Sequence, residues 1–181
     1  MEALSFLNDL DSVTPTPILV APHPVLSRKA ARVQASDLSQ VRVTLPGMFA
    51  AMYRAPGIGL AAPQVGIGLR FMIIDITEND ARCPRIFINP EITSFSDEKA
   101  VTEEGCLSVP NQYAEVIRPE RVTIKYQNLD GQDEELETDG LLAICIQHEI
   151  DHLDGILFVD HLSKLKRNML MRKLAKEQRG K

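Results

Sequence analysis

The sequence predicts an α+β domain in which antiparallel strands pack around one central helix and a further helix closes the chain. Three observations carry that prediction. Strand-like runs fill the middle of the chain, and none is followed by a helix long enough for a parallel crossover. A later segment is apolar on every side over its first half, as a buried helix must be. The 181 residues are 44% hydrophobic and 25% charged with no Trp, which is near ordinary globular usage. At this length roughly two thirds of the unfolded chain's surface can be buried on folding. The expectation is therefore a single domain over residues 1–181, with no need of a disulfide framework or a structural metal.

Residues 1–15 form an N-terminal extension, and residues 1–17 carry three acids, no Lys or Arg and no signal-like apolar core. That pattern argues against secretion or organelle import and for a cytoplasmic protein. Residues 37–54 read as a helix, because Leu38, Val41, Leu45, Met48 and Met52 recur at three and four residues with Asp37 as N-cap. Pro46-Gly47 predicts a kink or break within it. Residues 57–66 are too rich in Gly and Pro for a regular element. Strands are predicted over residues 70–76, 85–92, 113–117 and 122–128, with Asp130-Gly131 as a hairpin signal. The buried helix spans residues 140–154 and stops at Gly155. The last helix, residues 161–178, has Leu162, Leu165, Met169 and Leu174 as its apolar stripe.

The net charge of −5 hides an asymmetry: residues 164–181 hold eight Lys or Arg against Glu177, a balance of +7 that leaves −12 on residues 1–163. An acidic body excludes specific DNA binding by the protein as a whole. No apolar run approaches the roughly 18 residues that a membrane span needs. The three Cys, an odd number at no zinc-ribbon spacing, read as reduced thiols.

The sharpest chemical signal lies on the buried helix, at Gln147-His148-Glu149-Ile150-Asp151-His152. Two His four residues apart share a face and can close on one metal ion, with Glu149 beside the open position as a base. A chance match is the competing reading, but two His and a Glu on a buried helix would be costly without a partner. The third ligand decides the class. Phe158 stands where a metzincin has its third His, and residues 155–175 contain no Glu to complete a thermolysin-like site. Cys106, in Glu104-Gly105-Cys106-Leu107-Ser108, is the better candidate, since a metal deprotonates a thiol into a strong soft ligand. Cys83 and Cys145 read as non-ligands, and His23 and His161 as surface or packing residues. Leu141, Ile144 and Cys145 precede His148 by seven, four and three residues, which puts them on the metal-facing side as an apolar lining. Gln64 presents an amide from a small-sided loop.

Taken together, Gly57-Ile-Gly-Leu-Ala-Ala-Pro-Gln64, Glu104-Gly-Cys-Leu-Ser108 and Gln147-His-Glu-Ile-Asp-His152 resemble the three motifs of the peptide deformylase family, in order and separation. The resemblance extends over roughly residues 16–166. The Glu-Gly-Cys-Leu-Ser form and the long C-terminal helix are similar to the subgroup typical of Gram-negative bacteria. Pro46-Gly47 and Tyr113, where some members carry an Arg, depart from it. The resemblance implies a hydrolase that removes the formyl group from N-formylmethionyl peptides. Cys106, His148 and His152 would hold one divalent metal ion, and Glu149 would move the proton. The Gln64 amide and the Leu107 backbone N–H would stabilise the oxyanion, while Ile58, Gly59 and Gly105 would contact the substrate backbone. It also implies Fe(II) as the physiological ion, where the donor set alone admits Zn, Ni or Co as well, and association of the basic C-terminal helix with the ribosome. The alternatives are a His-Glu-x-x-His metalloendopeptidase and a non-enzymatic metal-stabilised module.

Overall fold

The computed structural model describes residues 2–77 and 81–180. Met1 and Lys181, the ends of the expected domain and of the basic tail, lie outside the described residues. Along the chain come α1 (Leu38–Arg54), β1 (Gly59–Ala61), β2 (Phe71–Asp75), β3 (Pro84–Phe95), β4 (Lys99–Cys106), β5 (Val109–Pro119), β6 (Arg121–Gln127), β7 (Asp133–Asp139), α2 (Gly140–Leu153) and α3 (Lys164–Arg179). The strands form a five-stranded sheet of order β1-β2-β3-β6-β7 and a separate β4-β5 pair, antiparallel throughout.

The five-stranded sheet is covered on both faces, and β2 shows why it reads as an unbroken apolar run. Its side chains alternate across the sheet. Phe71 and Ile73 join Val41, Leu45, Met48, Phe49 and Met52 of α1, whereas Met72 and Ile74 join Ala143, Cys145, Ile146, Ile150 and Leu153 of α2. The second face places the buried helix, and with it the His-Glu-x-x-His segment, against β1 and β2. A third cluster packs Leu170 and Leu174 of α3 onto Ala114 and Val116 of β5, with Phe158 between. No helix among the described residues is long and apolar enough to cross a membrane.

Several local expectations differ from what is seen. The helix α1 runs through Pro46 as one element. An interior Pro costs about 3 kcal/mol, but Leu45, Met48, Phe49 and Met52, on either side of it, are all fully buried. Each such side chain contributes about 1.5–3 kcal/mol, so packing outweighs the break. Residues 59–61, expected to be irregular, form β1 against β2, and β4 and β7 are strands that the sequence pattern did not mark. The stripe expected of the last helix holds at Leu162 and Leu174, which pack on the body, and fails at Leu165 and Met169, which are 83% and 59% exposed; Leu170 completes the docking face instead. The N-terminal extension holds a 3-10 helix, Glu2–Ser12, whose Phe6 ring lies 5.7 Å from Phe49.

A bulge in β3 centres on Asn89, which is 3% exposed and held at φ 52°. Its Oδ1 accepts from Val33 N at 2.8 Å, and its Nδ2 donates to Val33 O and Gln127 Oε1, both at 2.9 Å. Asn89→Ala leaves both backbone groups of Val33 unpaired. Equilibrium denaturation should show a loss of about 2–4 kcal/mol, and a loss within experimental error would refute this role.

Candidate metal centre

Helix α2 carries His148 and His152 on one face, their ring centroids 5.1 Å apart. Gly155 ends the run at φ 77°, a conformation that side chains rarely adopt. Cys106 arrives from the other sheet, where a register shift between Gly105 and Cys106 ends β4. Its Sγ lies 3.1 Å from His152 Nε2, and one donor atom from each of Cys106, His148 and His152 falls within 4.8 Å of the others. Among the described residues no further His, Cys, Asp or Glu joins this group.

Behind the cluster lies a knot of charge. Arg118, 5% exposed, donates from Nε and Nη2 to the two oxygens of Glu104 at 2.5 and 3.0 Å, and from Nη1 to Asp151 Oδ2 at 2.8 Å. His161 Nε2 meets that same Asp151 oxygen at 2.7 Å from the surface. Glu104 Oε2 also meets His148 Nδ1 at 2.8 Å. Burial alone would raise the Glu104 pKa, but the hydrogen bonds from His148 and Arg118 outweigh it and lower it to about 2. Glu104 is thus a carboxylate that accepts from His148 Nδ1–H, which turns Nε2 toward the cluster. Burial alone would lower the His148 pKa, but hydrogen bonds to Cys106 and Glu104 outweigh it and raise it well above the usual imidazole range, so the ring carries a charge until a metal takes the place of its Nε2 proton. His152 is pushed well below the usual imidazole range by burial and by the His148 and Arg118 charges, so it stays neutral, the form that binds metal. A thiol and two imidazoles, His148 giving up its second ring proton to bind, fit a borderline divalent transition ion, and three protein donors rather than four leave a position open.

Two further groups stand beside the cluster. Gln64 is 1% exposed; its Oε1 accepts from Ala61 N at 2.8 Å, and its Nε2 lies 3.1 Å from Ser108 Oγ and 3.6 Å from Cys106 Sγ. Glu149 is 3% exposed, its Oε2 has no partner among the described residues, and burial above all raises its pKa to about 7. Gly59 explains how β1 comes so close to it. A Cβ there would stand 2.8 Å from Cys145 Sγ and collide with the Glu149 carboxylate. The Cys145 thiol is pushed well up by burial and by the nearby Glu149 and Glu104 charges, so it stays protonated and a poor ligand.

A cleft of about 690 Å³ opens over these groups. Gln64, Cys106, His148 and Glu149 line it together with Ile58, Gly59, Gly105, Leu107, Leu141, Ile144 and Cys145. Of the apolar lining, Ile144 and Cys145 are buried, whereas Leu141 is 56% exposed, so the first turn of α2 is not buried all round. Tyr113 faces Gly105 across the β4-β5 pair, and its ring occupies the place a Cβ of residue 105 would take, at 2.6 Å. The sequence reading passed over Arg118, Asp151 and the second duty of Glu104. A signal was available in β5, where buried residues alternate as Gln112, Ala114, Val116, Arg118. An Arg at core-facing parity requires buried anions.

The polypeptide deformylase family model matches residues 15–168. The chain is 53% identical over 162 residues to peptide deformylase 2 of Xanthomonas campestris pv. campestris, covering 88% of this chain and 94% of that one. It is 46% identical over 170 residues to the peptide deformylase of Agrobacterium fabrum, covering 93% and 99%. The fold is similar to the crystal structure of a peptide deformylase from Legionella pneumophila, with a TM-score of 0.84 at 44% identity over 92% of this chain and 96% of that one. It also resembles the Ehrlichia chaffeensis peptide deformylase in complex with actinonin, with a TM-score of 0.87 at 35% identity over 92% and 99%. Sequence and architecture agree across nearly the whole chain, which therefore belongs to the polypeptide deformylase family.

Proposed function

We propose that this chain, acting as one catalytic domain, is a metal-dependent hydrolase that removes the formyl group from N-formylmethionyl peptides and releases formate. The observation that carries this reading is a buried carboxylate, Glu149, and an amide donor, Gln64, set beside a Cys-His-His cluster on the lining of one cleft. Cys106, His148 and His152 would hold one divalent ion, Fe(II) in the cell, with Zn, Ni or Co admitted by the same donors. When bound, the ion supplies Lewis acidity, polarising the formyl carbonyl and making water a better nucleophile at neutral pH.

The protein's own groups do the rest. Glu149, with Oε2 uncommitted, takes a proton from the attacking water and hands it to the leaving amine nitrogen. The negative charge that gathers on the former formyl oxygen is met by Gln64 Nε2–H and the Leu107 backbone N–H, donors held in place before the reaction begins. Ile144 and Cys145, with Leu141 at the mouth, form the apolar wall for the Met side chain. Ile58, Gly59 and Gly105 meet the peptide backbone. The reaction is an N-terminal processing step of protein biosynthesis in the cytoplasm. The exposed basic face of α3 then holds the enzyme near ribosomal RNA through phosphate contacts.

The direct test is formate release from a formyl-Met peptide by anaerobically prepared protein, with metal content measured on the same sample. Cleavage of internal peptide bonds without formate would overturn the reading. Glu149→Gln keeps the side chain's shape and removes the base, so activity should fall by about 10²-fold or more with metal content unchanged. Activity above roughly a tenth of wild type is incompatible with the assignment. Cys106→Ala leaves two imidazoles and should lose the ion, whereas Cys145→Ala should retain a full equivalent. Replacing the exposed Lys166, Lys173 and Lys176 by Ala should weaken ribosome co-sedimentation and flatten its salt dependence by about three ion-release steps. Equal co-sedimentation at low salt would leave α3 as a solvated helix.

A further inference from the structure

The last turn of α3 reaches residues that line or adjoin the cleft. Glu177 is the one acid among residues 164–181, and its carboxylate is spent on two side-chain amides. Gln112 Nε2 donates to Oε1 at 3.2 Å and Asn111 Nδ2 donates to Oε2 at 3.4 Å. A carboxylate only accepts, so both amides must present their nitrogens to it. The neighbouring Gln178 Nε2 donates to the Ala21 carbonyl at 3.0 Å.

Two of these three partners line the cleft, and the third adjoins a stretch that does. Asn111 and Gln112 line it from β5, and Ile18 and Val20, just before Ala21, line it from the opposite stretch of sequence. That stretch is tied to the reacting groups as well: Leu19 N donates to Gln64 O at 2.7 Å and Ala21 N to Ser108 O at 2.8 Å. Gln112 is 1% exposed, and among the described residues the other partner of its Nε2 is the Pro110 carbonyl at 3.5 Å, so Glu177 fixes its orientation. Asn111 sits at φ 59°, where a non-glycine backbone needs support from its surroundings.

We propose that Glu177 and Gln178 are positioning residues for peptide binding: the end of the basic C-terminal helix braces two walls of the cleft, and the helix is part of the substrate site. This rests on reading the cleft as the formyl-peptide site. The brace touches no reacting atom, so its loss should appear in KM and not in kcat.

The test uses the metal-loaded, full-length protein and a formyl-Met tripeptide over a range of concentrations. Glu177→Ala combined with Gln178→Ala should raise KM roughly three- to tenfold, with kcat and metal content close to wild type. Glu177→Gln, which keeps an acceptor oxygen for Gln112, should recover most of the loss. An unchanged KM in the double variant overturns the proposal, and so does a fall in kcat accompanied by loss of metal. Hydrogen exchange on the same proteins without substrate reads the brace independently of activity. Faster exchange over residues 18–22 and 109–113 in the double variant supports it, and unchanged exchange overturns it. Failure of the wild type to release formate would instead defeat the peptide reading, and the exchange result would then decide the brace alone.

Discussion

Arg118 is 5% exposed and carries a full charge, which two carboxylates from two other elements compensate: Glu104 on β4 and Asp151 on α2. Desolvating such a group costs several kcal/mol, and only close, well-oriented partners repay it. The three elements that meet at Arg118 are those that frame the metal cluster. β4 delivers Cys106 two residues after Glu104, and α2 delivers His148 and His152 on either side of Asp151. The guanidinium thereby sets the distance between the β4-β5 pair and α2 at the point where ligands from both must converge. Glu104 passes the constraint on by holding His148 Nδ1 and so fixing which ring nitrogen faces the cluster.

The same crowding leaves the cluster-facing side of α2 underpaired. Glu149 Oε2 and His152 Nδ1 are buried with no partner among the described residues. Orphaned polar atoms of this kind cost about 1–3 kcal/mol each, and the apolar packing of α2 on Met72, Ile74, Phe87 and Ile124 offsets them. The helix is anchored on its sheet side and left unsatisfied on its cleft side. That division follows from its sequence, in which six apolar residues precede Gln147.

Much of the site was legible before the fold, because His148, Glu149 and His152 are related by helical spacing and Cys106 and Gln64 each stand in a short, distinctive run. What stayed hidden depends on pairing at a distance. Arg118 reaches Glu104 diagonally across the β4-β5 pair, fourteen residues away in sequence, and Asp151 through the docking of a helix thirty-three residues on. No local pattern encodes either contact. Strand β7 escaped notice because five of its seven residues are acidic; it is a strand by virtue of pairing with β6, where Lys125 opposes Glu135 and Tyr126 Oη donates to Glu134 at 2.6 Å. Pro46 offered a bend or a break, and burial on both sides of it keeps α1 a single helix, so the break is excluded by packing and not by a local rule. Half of the stripe expected of the last helix was placed correctly, Leu162 and Leu174 meeting the body, but Leu165 and Met169 face away and Leu170 takes their place, because spacing alone does not say which side of the helix docks.

The acidity of β7 has a further meaning at the rim of the sheet. An outermost strand exposes a row of unpaired backbone groups that can recruit any extended chain, and a protein that handles emerging, unfolded polypeptides meets such chains continually. At one boundary of the five-stranded sheet, Asp133, Glu134, Glu135, Glu137 and Asp139 surround those groups with like charge and bulky solvated side chains. At the other boundary β1 offers three residues. The molecule therefore presents one long border that repels strangers and one short border beside its cleft, a geometry that lets it work among sticky, half-made proteins without becoming the seed on which they aggregate.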